Sequence, residues 1–226
     1  MPISEVYNCD CLEYMKGLPD KYFSLAIADP PYGINHDGQK LSINNKNSKH
    51  NRKYFEPKGW DKTAPGKEFF DELQRVSKRQ VLWGANHYIS KVPFDSSCWL
   101  VWDKGQKGLT MADCELAWTS FDKPARVFLM NRVALLKEGT IHPTQKPVAL
   151  YAWILQNYAE GGVIFDPMLG SASSRIAAYK LGFDFVGCEL DKEYFDKGVE
   201  RFERECKGIT RIDETHTIEQ LQLFDV

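Results

Sequence analysis

No apolar stretch in this sequence is long enough to cross a bilayer, and the first residues show no basic region followed by an apolar one, so no secretory signal is expected. The six cysteines have no CxxC spacing and no paired histidines, which supports neither a zinc site nor a disulfide framework. Reduced thiols and the missing signal favour a cytoplasmic protein. Because the formal net charge is −2, any affinity for nucleic acid has to come from local basic segments.

The tetrapeptide Asp29-Pro30-Pro31-Tyr32 is the most informative feature that is present. It follows the apolar run 23–28, which predicts a buried strand that two prolines cannot continue. The predicted turn has a carboxylate on one side and an aromatic ring on the other. Asp29 and the carbonyl of Pro30 can accept both hydrogens of an exocyclic amine, while Tyr32 stacks on the ring that carries the amine. The alternative is a proline-rich turn in which Asp29 only caps the backbone.

A second signature lies far downstream, between two predicted strands. The run 163–165 leads into Asp166-Pro167-Met168-Leu169-Gly170-Ser171 and then into a helical pattern at 175–181, and the next strand, 184–188, finishes at Glu189. A strand, a tight turn, a helix and a strand, with an acid about twenty residues after the turn, are typical of nucleotide sites. The three-glycine spacing of dinucleotide sites is missing, which argues against a NAD-dependent oxidoreductase.

The third signature is the string His142-Pro143-Thr144-Gln145-Lys146-Pro147. The residues that follow, 148–155, have the apolar spacing of a helix, and Pro147 suits its first turn. The string therefore predicts a helix N-terminus with a lysine beside it.

The three signatures together resemble the motifs of amino-methylating DNA methyltransferases, and the resemblance covers most of residues 3–205. The catalytic motif precedes the cofactor-binding turn, which is the order of the circularly permuted class usually called beta. The resemblance implies methyl transfer from S-adenosylmethionine, with no metal, to the N6 amine of an adenine flipped out of double-stranded DNA. Asp29, Pro30 and Tyr32 would be catalytic. Ala172 departs from the family, which usually has a second glycine there; because alanine adds only one methyl group, we expect the site to survive with weaker cofactor binding.

Contacts with S-adenosylmethionine are implied for residues at the carboxyl ends of the predicted strands. Asp10 would accept from the adenine amine of the cofactor, Glu189 would bind the ribose hydroxyls, and Asp166 would lie beside the methionine portion. Lys146 and its helix N-terminus would face the methionine carboxylate. The alternatives are a strand-ending turn residue for Asp10 and a helix-terminal charge opposite Lys192 for Glu189. The full set of implied contacts is Asp10, Asp29, Thr144, Lys146, Asp166, Pro167, Gly170, Ser171 and Glu189.

Strand and helix signals alternate along the chain and predict one α/β domain over residues 1–210. A chain of 226 residues with 43% apolar content can build one sizeable core. The resemblance implies a Rossmann-like, doubly wound mixed sheet of seven strands, circularly permuted, of the S-adenosylmethionine-dependent methyltransferase type. The strand pair around 98–118 is predicted to form the reversed edge of this sheet.

Two segments carry the basic residues that a DNA-binding surface needs. The polar loop 35–58 follows the catalytic motif, and the segment 103–140 stands where permuted enzymes have their target-recognition region. The alternative for the loop is a solvated insertion unrelated to DNA. Because the second segment is short, we expect the protein to recognise only a few base pairs or to share recognition with the first loop. A homodimer could also compensate for the short segment. The predicted DNA contacts are Lys40, Lys46, Lys49, Arg52, Lys53, Lys104, Lys107, Arg126 and Arg132.

The C-terminal tail, 211–226, contains Gln220-Leu221-Gln222-Leu223-Phe224 two residues from the end. This string resembles the short peptide with which bacterial DNA enzymes bind the replication sliding clamp. The implied anchors, Gln220, Leu221, Leu223 and Phe224, would enter a groove on the partner. The alternative is that the apolar side chains fold back on the protein's own surface.

Two further functions stay open beside adenine methylation. The first is the same chemistry on the N4 amine of cytosine, although an aspartate at the first motif position favours adenine in this family. The second, from a different class, is an inactive DNA-binding or clamp-binding protein. The intact Asp29, Tyr32, Gly170 and Glu189 argue against a loss of activity.

Overall fold

The computed structural model of the chain describes residues 1–38, 55–92, 94–108, 112–131, 139–211 and 217–219. The strands of the main sheet are β1 (Ser4–Tyr7), β2 (Phe23–Ala28), β3 (Ser77–Trp83), β4 (Trp99–Asp103), β5 (Cys114–Thr119), β6 (Arg126–Leu129), β7 (Ile164–Asp166) and β8 (Phe185–Cys188). The α-helices are α1 (Cys11–Lys16), α2 (Lys67–Val76), α3 (Val148–Tyr158), α4 (Ser173–Lys180) and α5 (Lys192–Phe202). Two short 3₁₀ turns follow β3, at Ala85–His87 and Ile89–Lys91. A π-helical turn, Glu203–Lys207, extends α5.

The strand order in the main sheet is β1-β8-β7-β2-β3-β5-β4-β6. The first five strands are parallel, β5 is antiparallel to both of its neighbours, and β4 pairs with β6 in parallel. The predicted α/β fold with a doubly wound, mixed sheet is therefore confirmed, with eight strands among the described residues where seven were expected. The prediction of a reversed edge is wrong in detail: the reversed strand β5 lies inside the sheet, because β4 and β6 add beyond it.

The strand β2 is an almost continuous apolar run because both of its faces are buried in the core. Successive side chains of a strand point to opposite faces, so Leu25 and Ile27 pack with the buried face of α3, while Ala26 and Ala28 pack with that of α2. A parallel strand covered by helices on both faces needs apolar side chains on both. These two layers fix the position of the turn that begins at Asp29.

The parallel strands bring their carboxyl ends to one edge of the sheet. At this edge β2 ends directly before Asp29, β7 ends at Asp166, and β8 ends directly before Glu189. Because β5 runs the other way, Glu115, the second residue of this strand, reaches the same edge. Lys104, which directly follows β4, reaches it as well.

A small hairpin of β9 (Ile209–Arg211) and β10 (Thr217–Glu219) follows α5. The predicted partner peptide, 220–224, begins directly after β10 and lies outside the described residues. The division into a domain over 1–210 and a tail over 211–226 stays a prediction. In the described part of the chain, no helix has the length and apolarity to span a membrane.

Candidate active site

A cleft of about 1380 Å³ runs along the carboxyl edge of the sheet. All three predicted catalytic residues line it, as do all but one of the predicted cofactor contacts. The exception is Asp166, which is buried behind the turn. Segments that are far apart in sequence therefore meet in one cleft: the catalytic motif, the turn 167–171 and the string 142–146.

Asp29 and Tyr32 contact each other at the centre of this cleft. The Tyr32 hydroxyl donates to Oδ1 of Asp29 at 2.7 Å, and Nζ of Lys146 lies 2.5 Å from Oδ2. Burial raises the pKa of Asp29, and the nearby Glu115 adds to this, whereas Lys146 opposes it. The Lys146 ammonium stays charged because the attraction of Asp29 and Glu115 outweighs its burial and raises its pKa. The sequence predicted Lys146 at the methionine carboxylate of a cofactor, and the structure places its ammonium on the carboxylate of Asp29.

Glu115 and Lys104 continue this network of buried charges. Oε2 of Glu115 lies 3.1 Å from Nζ of Lys146, and its Oε1 lies 2.8 Å from Nζ of Lys104. Although burial alone would raise the pKa of Glu115, the two ammonium groups lower it to about 2. Sequence reasoning missed Glu115. The available signal was its place at the start of a reversed strand, where an amino-terminal residue faces the carboxyl ends of the parallel strands.

Contacts with the neighbouring loops fix both the backbone and the ring of Tyr32. The buried Asp61 carboxylate accepts hydrogen bonds from the amides of Tyr32, Gly33 and His36, at 2.7, 2.8 and 2.7 Å. Gly84 follows β3 with φ +72°, and a Cβ added to it would lie 2.0 Å from the Tyr32 ring. The ring also stacks against exposed His87, with centroids 5.1 Å apart and planes 14° from parallel. Tyr32 is therefore fixed next to Asp29 before any base arrives.

Asp166 supports the turn from below. Its Oδ1 accepts from the Met168 amide at 3.0 Å, and its Oδ2 accepts from the Ser174 hydroxyl at 2.5 Å. Burial raises the pKa of Asp166 to about 7, against the effect of these bonds. The Asp166 carboxylate therefore holds the turn from its buried side, and its place beside the methionine portion of a cofactor stays a prediction. Ala172 adopts the left-handed conformation, φ +60°, which usually favours glycine.

Arg201 fixes the same turn from α5. Its buried guanidinium donates from Nη1 to the Ser171 carbonyl at 3.0 Å and to the Ser173 hydroxyl at 2.8 Å. These two bonds lie on either side of Ala172. They stabilise a backbone conformation that costs an alanine roughly 1–2 kcal/mol.

Glu189 and Asp10 face the cleft with carboxylates that also bind backbone amides. Glu189 accepts from the amides of Gly170 and Asp191 at 2.7 and 2.9 Å, and burial raises its pKa. Asp10 caps α1 through the Leu12 amide at 2.7 Å. Lys192, the alternative partner considered for Glu189, pairs with Asp196 instead. Both carboxylates keep further lone pairs that a ligand in the cleft can use.

An aromatic group closes one rim of the cleft. The His142 ring packs between Trp60 and Tyr194, at 5.3 and 4.4 Å between centroids. Burial, assisted by Lys146, lowers the pKa of His142 to about 3, so the imidazole is neutral. Its Nδ1 lies 3.1 Å from the Thr144 hydroxyl. Lys58 ties this rim to the start of α5 through Asp191 and Glu193, at 2.8 Å each.

The predicted DNA contacts fall into three groups. Lys104 is buried in the charge network of the cleft, and Lys107 is exposed nearby. Arg126 is exposed at the start of β6. The other end of this strand, at Leu129, is the end that faces the cleft. The remaining six lie outside the described residues: Lys40, Lys46, Lys49, Arg52, Lys53 and Arg132.

Comparison with known proteins agrees with this geometry. A family model described as DNA methylase matches residues 115–200. The type II methyltransferase M.HpaI of Haemophilus parainfluenzae is 39% identical over 74 residues, which are 32% of this chain and 24% of that protein. The type II methyltransferase M2.MboI of Moraxella bovis is 22% identical over 255 aligned positions, covering 87% of this chain and 86% of its own.

The fold is also that of a solved structure, TTHA0409 from Thermus thermophilus complexed with S-adenosyl-L-methionine. The TM-score is 0.58 at 18% identity, covering 91% of this chain and 97% of the other. The family model begins at Glu115 and includes both the string 142–147 and the turn 166–171. Together with the motif at 29–32, these matches show that the chain is similar to N6/N4 amino-methylating DNA methyltransferases.

Proposed function

We propose that the protein transfers a methyl group from S-adenosylmethionine to the N6 amine of an adenine flipped out of double-stranded DNA. The observation that carries the proposal is the position of the Asp29–Tyr32 pair, bonded at 2.7 Å, in the same cleft as the turn 167–171. A base stacked on Tyr32 would present its amine to Asp29 and to the carbonyl of Pro30. The cleft is large enough for a nucleoside cofactor and a base together.

The donor set of the cleft fits S-adenosylmethionine. Glu189 supplies carboxylate lone pairs for ribose hydroxyls, and Asp10 supplies an acceptor for the adenine amine. The turn 167–171 and Thr144 would border the methionine portion, with the neutral His142 ring as an apolar wall. A role for Lys146 at the methionine carboxylate stays a prediction, because its ammonium bonds Asp29 and Glu115.

The chemistry requires the amine to become a nucleophile. Its lone pair is delocalised into the ring, and accepting both hydrogens at Asp29 and Pro30 localises that pair on nitrogen. The bound cofactor supplies an electrophilic methyl group on a sulfonium. Asp29 stabilises the positive charge that develops on the amine and accepts the proton that the methylated nitrogen releases, a role suited to its raised pKa. Stacking on Tyr32 offsets the cost of flipping by roughly 1–3 kcal/mol.

Nucleoside analysis tests the proposal directly. Plasmid DNA incubated with the protein and S-adenosylmethionine would be digested and its nucleosides separated by mass spectrometry. We expect N6-methyldeoxyadenosine among the nucleosides. N4-methyldeoxycytidine would assign the alternative base, and unmodified DNA would support the alternative of an inactive DNA-binding protein.

Replacing Glu189 by alanine should weaken the binding of both S-adenosylmethionine and its demethylated product. Loss of a charge-assisted contact with the ribose costs about 1.5–3 kcal/mol. Calorimetric titration measures this, and Glu200→Ala, an exposed substitution on α5, serves as the control. Unchanged affinity in Glu189→Ala, or binding of NAD by the wild type, would contradict the cofactor assignment.

The C-terminal peptide is proposed to bind a replication sliding clamp, on the strength of its sequence. Removing residues 220–226 should leave the melting temperature and the methylation of short duplexes unchanged, because β10 ends at Glu219. Capture by an immobilised sliding clamp should be lost, since two leucines and a phenylalanine are consistent with a contact of roughly micromolar affinity. A melting temperature lowered by several degrees would instead assign the peptide to the protein's own core.

A further inference from the structure

Both carboxylate oxygens of Asp29 are already bonded within the protein. Oδ1 accepts from the Tyr32 hydroxyl at 2.7 Å, and Oδ2 lies 2.5 Å from the Lys146 ammonium. Each oxygen keeps one further lone pair, so a target amine would have to share an oxygen with the hydroxyl or with the ammonium. A shift of one of these two donors to another acceptor would leave that oxygen to the amine.

Glu115 is placed to be that acceptor. Its Oε2 lies 3.1 Å from Nζ of Lys146 and 3.5 Å from the Tyr32 hydroxyl oxygen, so it faces both donors that bond Asp29. Its other oxygen is held by Lys104 at 2.8 Å, which fixes the orientation of the carboxylate. The Lys146 side chain is only 2% exposed, so water has little access to replace Asp29 as its partner.

We propose that Glu115 is a positioning residue for methyl transfer, which takes over Lys146 and the Tyr32 hydroxyl when the oxygens of Asp29 are given to the target amine. The inference rests on the proposed function, since it presupposes an amine that Asp29 binds. Glu115 touches neither the amine nor the methyl group, and it acts through Lys146 and Tyr32.

The exchange needs small movements only. An ammonium has three donors, and Lys146 has three acceptors within reach: Asp29, Glu115 and, at 3.1 Å, the Tyr32 hydroxyl oxygen. As the new N–C bond forms and the S–C bond breaks, the nitrogen becomes positive and releases one proton to Asp29. Neutral Asp29 no longer attracts Lys146, and Glu115 is then the carboxylate that holds the ammonium, beside the Tyr32 hydroxyl. Glu115 is ionised throughout, because its two lysines lower its pKa to about 2.

The pH dependence has a defined direction. Asp29 is faced by Tyr32 on its own loop, by Lys146 before α3, by Glu115 on β5 and by Asp166 on β7. The negative charge of Glu115 raises the pKa of Asp29. Removing that charge lowers this pKa, so the acidic limb of the pH–rate profile should move to lower pH even as the plateau falls.

The experiment compares Glu115→Gln with the wild type in single-turnover methyl transfer across pH, with calorimetric titration of S-adenosylmethionine. We expect the plateau rate to fall by roughly 10²-fold, as for the loss of one preorganised group, with the affinity for the cofactor unchanged. Glu72→Gln is the matched control, because Glu72 is an ion-paired glutamate of similar exposure, 20% against 22%, outside the cleft. A wild-type plateau rate in Glu115→Gln would overturn the proposal.

A second variant separates this role from simple support of the fold. In Glu115→Gln, Lys104 and Lys146 lose a shared partner, which destabilises a buried site. Lys104→Met together with Glu115→Gln removes one unpaired charge, so the melting temperature should recover while the rate stays low. Recovery of the rate along with the melting temperature would show that Glu115 only supports the fold.

An infrared titration gives a readout that needs neither DNA nor cofactor. The carboxylic acid band that Asp29→Asn removes should titrate at lower pH in Glu115→Gln than in the wild type. The same midpoint in both proteins would also overturn the proposal. If the wild type methylates no DNA, the proposed function fails, whereas an active wild type with an unaffected Glu115→Gln contradicts only the role of Glu115.

Discussion

Replacing Asp29 by alanine should lower the rate constant for methyl transfer by roughly 10²–10⁴ and leave S-adenosylmethionine binding mostly intact. In the proposed mechanism, this carboxylate localises the amine lone pair and stabilises the charge that develops on nitrogen. The fold should tolerate the change, because Lys146 keeps Glu115 as a partner at 3.1 Å. Single-turnover kinetics with excess protein isolate this step from product release.

The control for this variant is Asp71→Ala. Asp71 is an exposed aspartate paired with Lys67 on α2, so the same atoms are removed outside the cleft. Its rate should equal that of the wild type. If Asp29→Ala also methylated DNA at a rate near that of the wild type, Asp29 would have no place in the mechanism.

Replacing Gly84 by alanine should also lower activity, although Gly84 itself carries no chemistry. The added Cβ would lie 2.0 Å from the Tyr32 ring, which therefore has to leave its position beside Asp29. Loss of base stacking alone costs about 1–3 kcal/mol. We expect kcat/KM to fall by roughly fivefold to 150-fold, which is that loss expressed as a rate ratio.

Gly182→Ala is the matched control for Gly84→Ala. Gly182 has φ +80°, close to the φ +72° of Gly84, but a Cβ added there meets no atom within 4 Å. Both variants should lose roughly 1–2 kcal/mol of stability from the left-handed backbone. Only Gly84→Ala should lose activity. Equal activity in the two variants would mean that the position of Tyr32 does not matter for catalysis.

The sequence was sufficient to predict the fold class and the edge of the sheet that carries the cleft. Asp29, Pro30, Tyr32, Gly170 and Glu189 line that cleft because each follows a predicted strand, and strand ends converge in a parallel sheet. Local pattern and strand direction are properties that a sequence carries directly. For this reason the separated motifs could be assigned to one site before any coordinates were known.

The contacts inside the cleft could not be predicted in the same way. Glu115 was missed because the sequence predicted a reversed strand pair around 98–118 without showing that β5 is the reversed strand, which brings Glu115 to this edge. Lys146 was assigned to the cofactor because its motif precedes a helix. In the structure its ammonium instead forms ion pairs with Asp29 and Glu115. Gly84 was not noticed, since its importance comes from the ring of Tyr32, which is distant in the chain.

The most direct test of the account is sequencing of modified bases in DNA from cells that express the protein, with the Asp29→Ala variant as the control. The account predicts N6-methyladenine in one short sequence context with the wild type and none of it with Asp29→Ala. Unmodified DNA in cells that contain folded wild-type protein, or the same modification with both proteins, would contradict it.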